Sequence, residues 1–237
     1  MSRFDTGRER ERQAGHDCKH ENSTGMKQRT PQILYGYWNE VRAGRLAPLR
    51  LEIEPSRIAG ILSETFMLER LDAATHRYRL AGTRLCELFG SELRGANFLD
   101  GWSEPDRAAL EHDLATVCEQ GGVCVLTIEA AADTRHRIEI EAVLLPLLHS
   151  GKTVERIIGA MSAASHPHWL SHEPLTSRRL LRHEIVWPDG RPHSLLDRSG
   201  KLAPFMPAPV EARPATPVQR QFRVLEGGRT DGKHDKR

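Results

Sequence analysis

Histidines are the residues of this sequence with the most obvious chemical potential. His166-Pro-His168 and His172 fall close together, with His149 nearby, the kind of short tract that can ligate a divalent metal. Structural zinc takes four preorganised ligands, commonly including thiolates, and no cysteine accompanies these histidines. The tract therefore reads as a polar tail, and no metal is expected. Cys18, Cys86, Cys118 and Cys124 form no C-x-x-C pair. Three of them lie inside predicted elements, so they read as small buried apolar residues of a reducing cytoplasm. Glu139 and Glu141 have the types of a carboxylate pair but fall on the outer side of a strand, where solvated charge is the default. Gly121-Gly122 and Gly227-Gly228 belong to no phosphate-loop pattern. No catalytic residues and no cofactor are expected.

The elements around these residues begin with three successive strands between Val123 and Ser162. Ile138, Ile140, Ala142 and Leu144 alternate with Arg137, Glu139 and Glu141, the period-2 pattern of a half-buried strand. Val123 to Ile128 precedes it, and Asp133-Thr-Arg135 suits the hairpin turn. Val154 to Ser162 is almost free of charge on either side and belongs in the middle of a sheet.

Upstream, Ile33, Leu34, Tyr37, Trp38 and Val41 recur at helical spacing behind a Thr30 cap and Pro31, and Gly44 ends the pattern. A short helix is expected from Ser56. Phe66 to Leu71 and Arg77 to Ala81 read as strands, the second an edge with Tyr78 and Leu80 inward. Arg84 to Phe89 is a short helix stopped by Gly90. Ser91 to Trp102 holds irregular apolar residues. Ser103-Glu-Pro-Asp106 opens a long helix by a capping-box pattern, and Leu110, Leu114, Val117 and Cys118 form its stripe. His112 lies on the far side of that helix, facing solvent.

The ends differ in character. Residues 1–29 carry Phe4 as almost their only large apolar group and are expected to be disordered, with Met26 an alternative to Met1 as the true start; no apolar stretch of a signal peptide is present. Nine of the fourteen prolines lie beyond His166. Residues 166–237 are therefore expected to be mostly disordered, with local order around Leu180 to Trp187 and Gln219 to Leu225. Aromatic content is 5% and mean hydropathy −0.52 over the 237 residues. The longest apolar run, Ala142 to Leu148, is far short of the ~20 residues a membrane helix needs. A net charge of +2 with pI about 8.4 is too mild for a nucleic-acid surface.

In order, residues 66 to 162 read strand, strand, short helix, helical turns, long helix and three strands. That order resembles the PAS domain. Tyr35-Gly-Tyr-Trp38, Arg77-Tyr-Arg-Leu-Ala-Gly-Thr83, Leu88-Phe-Gly90 and Leu93-Arg-Gly95 resemble more closely an alphaproteobacterial branch of small, often standalone cytoplasmic PAS proteins. The resemblance spans about Pro31 to Ser165 and implies an α+β domain over 30–165: a five-stranded antiparallel sheet with helices on one face, preceded by the amphipathic helix. It further implies a non-catalytic module that signals through another protein. The alternative is a sensor holding a small apolar metabolite. Some PAS domains hold haem through a histidine of the long helix, but His112 faces away, and Ser91 to Trp102 has no cysteine for a flavin adduct.

A pocket between helices and sheet would be lined by Leu85, Phe89, Leu114, Ile138, Ile140 and Ala142, residues that a small domain also needs as core. On the opposite face Val143, Leu145 and Leu147 continue the outer register, so something apolar must cover them. The helix bearing Tyr37 and Trp38 is the expected cover, from the same chain or from a second copy in a homodimer. Placing a carboxylate at Ile140 should unfold the domain whichever use the pocket has; loss of the cooperative thermal transition in circular dichroism of Ile140→Asp would show it.

Overall fold

The computed structural model describes residues 25–149 and 153–190. The expectations for residues 1–24, for Gln219 to Leu225 and for the rest of the chain beyond 190 lie outside the described residues. The alternating segments form strands where the pattern places them: β1 Thr65–Arg70, β2 His76–Ala81, β3 Val123–Ala131, β4 Arg137–Leu148 and β5 Val154–Ala163. The expected five strands become six. Ser177–Val186 forms β6, paired antiparallel along β3 from Val123↔Val186 to Ala131↔Ser177. The order across the sheet is β2-β1-β5-β4-β3-β6. Order around Leu180 to Trp187 was the expectation there. The strand itself escapes a periodicity test because its charged side chains ride an edge and only β3 makes it a strand.

Register explains two departures from simple alternation. Between β1 and β2, Met67 opposes Leu80 and Leu68 opposes Tyr78, so Arg79 is a bulge residue and the facing of side chains switches there. Leu80, expected inward, is 51% exposed, while Tyr78 is buried. At Gly159 a Cβ would collide with the Phe66 ring and the Val143 carbonyl. The absence of a side chain is what lets Phe66 lie flat across the middle of the sheet.

Helices cover both faces. On the inner face sit α2, Thr83–Phe89, and α3, Glu104–Gln120. Gly90 closes α2 with φ 61°. Ser103 caps α3 by accepting the Asp106 N–H at 3.4 Å. The Asp106 carboxylate accepts from Leu180 N of β6, tying the helix start to the added strand. Leu110, Leu114, Val117 and Cys118 are buried and His112 is exposed, as the helical stripe requires.

On the outer face lies α1, Arg29–Arg42, with a 3-10 segment, Pro55–Glu64, where one short helix was expected. Tyr37, Trp38, Val143, Leu145 and Leu147 are all buried within this one chain. They are therefore not an open partner face: the chain's own helix seats Trp38 on the sheet, and the indole N–H donates to the Pro146 carbonyl at 2.8 Å. The start of α1 differs from the expected Thr30 cap. Thr30 Oγ1 donates instead to Glu64. Glu141, expected in solvent, is 6% exposed. Its carboxylate accepts from Lys27 N at 3.0 and 2.9 Å and from Gln28 N at 2.8 Å, so a buried negative charge meets the donor end of α1. Ala43, in the left-handed region at φ 48°, ends the helix one residue before Gly44. Arg42, 4% exposed, reaches across to Asp189 just past β6 in a bidentate pair at 2.8 and 2.9 Å.

Trp38→Ala should cost about 3–5 kcal/mol, the range for truncating a buried large aromatic. Glu141→Gln, which keeps one acceptor but loses the charge, should cost about 1–3 kcal/mol. Urea unfolding of the full chain measures both, and a Glu141→Gln midpoint equal to wild type would contradict the role given to that carboxylate.

Candidate functional site

The inner face is where a ligand would have to sit, and its residues come together as a packed core. Leu85, Leu114, Ile138, Ile140 and Ala142 are each 5% exposed or less and Phe89 packs against them, all in one cluster with Leu68, Leu126 and Met161. Four further rings, which the periodicity did not single out as a site, fill its centre: Phe66, Tyr78, Phe98 and Trp102. The Phe66–Tyr78 centroids are 5.7 Å apart, edge to face, Phe66–Phe98 are 6.2 Å apart and stacked, and Phe98–Trp102 are 6.3 Å apart. Such arrangements add to area burial through ring quadrupoles.

Arg178 of β6 closes the edge of this aromatic layer. Its guanidinium lies 4.9 Å from the Trp102 ring centre and 5.7 Å from that of Phe89, and it donates to the Asp100 carbonyl. Burial lowers the pKa of Arg178, opposed by Tyr78 and Asp100. Burial also pushes the Tyr78 phenol up to about 12, with the Arg178 charge pulling the other way. No sequence signal announces Arg178: an arginine on a charged edge strand looks solvated until β3 fixes its direction.

Beside Tyr78 on β2, His76 is 1% exposed and neither ring nitrogen has a hydrogen-bond partner among the described residues. Burial, aided by the Arg70 charge, lowers its pKa from 6.5 to about 4. A neutral imidazole here is an unspent donor and acceptor within the apolar layer.

Two other clusters are new. His183 Nδ1 on β6 meets the Asp113 carboxylate at 2.7 Å, and the Cys124 thiol points at the same carboxylate from 3.9 Å. Burial raises the Asp113 pKa, and His183 counteracts it. At the β3–β4 turn, Asp133 Oδ1 accepts from Arg135 N and His136 N, both at 2.7 Å, which fixes the hairpin. His136 Nδ1 meets Glu173 at 2.6 Å and its ring stacks on Trp169. Asp133, His136 and Glu173 bring one ligand atom each within 4.8 Å of one another, enough donors for a divalent cation, but half in solvent. His168 and His172 pair with each other at 5.3 Å between rings, outside that group.

Two clefts lie at the surface. One of about 500 Å³ runs beside the hairpin turn, lined by Glu129, Thr134, Arg137, Thr176 and Arg179 among others. One of about 230 Å³ on the outer face is lined by Lys27, Glu139, Glu141, Leu181 and Glu184 among others. Neither touches the six residues expected to line a pocket.

A family model described as PAS domain matches residues 26–162, which takes in α1, both inner helices and β1 to β5. The chain belongs to the PAS domain family. Membership marks it as a signalling or sensory module, and PAS domains are generally non-catalytic. No curated protein matches the chain. No helix among the described residues is long and apolar enough to cross a membrane. The match stops short of His168–Ser171 and of β6, so Arg178, His183 and Glu173 come from beyond the matched PAS portion.

The neutral ring of His76 gives this PAS domain a defined pH response. An unfolded chain takes a proton there near pH 6.5, while the folded one resists until about 4. The stability it contributes is therefore complete above pH 6.5 and lost as pH falls from 6.5 towards 4. The loss is about 3 kcal/mol. Urea unfolding at pH 7 and pH 4 measures it, and His76→Phe should flatten the dependence by that amount; an unchanged dependence would show that the acid loss arises elsewhere.

Proposed function

We propose that this PAS domain is a non-catalytic regulatory module of the bacterial cytoplasm that acts by binding another signalling protein. The observation that carries the reading is the filled inner face: the six candidate lining residues and the four rings pack on one another, and Arg178 covers the remaining edge. A domain whose interior is already occupied by its own side chains has its surface left for recognition. The buried thiols accord with a reducing compartment, since burial pushes Cys118 up to about 12 and Cys124 well above the ordinary range, keeping both protonated and inert.

A second reading, sensing of a small apolar metabolite, is favoured by one observation. His76 keeps both ring nitrogens unpartnered while buried, and a ligand admitted to the inner face could meet them.

Native mass spectrometry of the full chain isolated from its own cells separates the two. The expected result is a polypeptide free of small-molecule adducts and accompanied by a protein partner. A stoichiometric small molecule released on collisional activation would replace the first reading with the second.

A further inference from the structure

Strand β6 reads Ser-Arg-Arg-Leu-Leu-Arg-His-Glu-Ile-Val, and one of its edges is paired to β3. Among the described residues no strand pairs with its other edge. The opposite end of the sheet is not open in the same way. There the 95–98 segment runs along β2: Tyr78 N donates to Ala96 O, Gly95 N to Tyr78 O, Phe98 N to His76 O, and His76 N to Asn97 Oδ1. Along this ten-residue edge Leu180 N is held by the Asp106 carboxylate, a side chain that a backbone carbonyl can displace. An edge whose backbone groups no strand pairs is a template for another strand.

The side chains of β6 say which strand. Its register with β3 passes from Thr127↔Arg182 to Ile128↔Leu180, leaving Leu181 unopposed. On one side of this bulge Arg178 and Leu180 face inward and Arg179 faces outward to Glu129; on the other, His183 and Ile185 face inward and Arg182 and Glu184 outward.

We propose that the open edge of β6 pairs antiparallel with β6 of a second copy about a two-fold axis, joining the two sheets into one. The proposal rests on the protein-binding reading and names the first partner as the chain itself. With the axis between Leu181 and Arg182, Arg178 opposes Ile185 of the second copy, Leu180 opposes His183, and Arg179 opposes Glu184. Inward residues then meet inward ones and outward meet outward on both sides of the bulge, and the Arg179–Glu184 contact forms twice. Sliding by two residues one way keeps the faces matched but sets Arg179 against Arg182 twice. The other way strands Arg179 opposite Val186 and offers only Arg182–Glu184, a pair each copy already makes within itself, so the full-length register adds the most new opposite-charge contact. The groups are available. Arg179 and Glu184 are 65% and 43% exposed, held only by surface pairs with Glu129 and Arg182. Leu181, 47% exposed, falls opposite Arg182 of the second copy, whose aliphatic stem can cover it.

Light scattering after size exclusion of the full chain tests this. The expected mass is twice 26.7 kDa. Arg179→Glu and Glu184→Arg each set like charges opposite one another twice and should weaken the dimer by about 10-fold or more. The double variant restores opposite charges across the axis and should recover the dimer, although each substitution keeps its cost within the chain. Circular dichroism melts confirm that the single variants remain folded. A monomeric full chain at on the order of 100 μM, a concentration at which a micromolar dimer is formed, overturns the proposal, as does a dimer indifferent to the single substitutions or a double variant as weak as the singles. None of these outcomes bears on whether a small molecule occupies the core. An adduct in the native mass spectrum would remove the protein-binding reading without touching the β6 register.

Discussion

From Ala142 to Leu147 every residue of β4 is buried whichever way it points, and β5 is the same from Ile157 to Ala163. Two adjacent central strands that are apolar on both faces cannot be stable under a single layer of helix, because each exposed aliphatic side chain forgoes about 1.5–3 kcal/mol of burial. The outer face therefore needs α1 as much as the inner face needs α3. Trp38 supplies the area, its N–H satisfies the Pro146 carbonyl, and Glu141 anchors the helix start. Pro146 is tolerated in β4 because it lies beyond the last β3 pair, Cys124↔Leu144. The rest of the architecture follows from this double covering.

How much of this the sequence discloses depends on whether the deciding force is local. Ile138, Ile140 and Ala142 announce β4 because burial on one side imprints an alternation. The stripe of α3 and the glycine stop of α2 are equally readable, being set within a turn or two of chain. Leu80 misled because a bulge at Arg79 depends on the pairing with β1, which no pattern within β2 encodes. Glu141 misled because a carboxylate at a strand's outer face looks solvated until the start of a helix more than a hundred residues earlier arrives to meet it.

The candidate site divides the same way. The six aliphatic and aromatic residues read from periodicity are in the inner core, but those that give it chemical character are Tyr78, His76 and Arg178. Two of these stand on an edge strand whose alternation is legible. The third comes from a segment whose composition resembles a disordered tail. His183 and Glu173 share that origin, pairing with Asp113 and His136 across large sequence separations. In each case the polar group acquires its meaning only through a partner that the topology delivers.

The PAS match ends at residue 162, yet the fold does not. Trimming the polypeptide to its recognisable portion would strip the guanidinium roof from Trp102 and Phe89, orphan the β6-facing edge of β3 along its whole length, and sever the Asp189 tether of Arg42. The remnant would be sticky and prone to clumping, and any greasy hollow or self-association found in it would belong to the wound left by the cut.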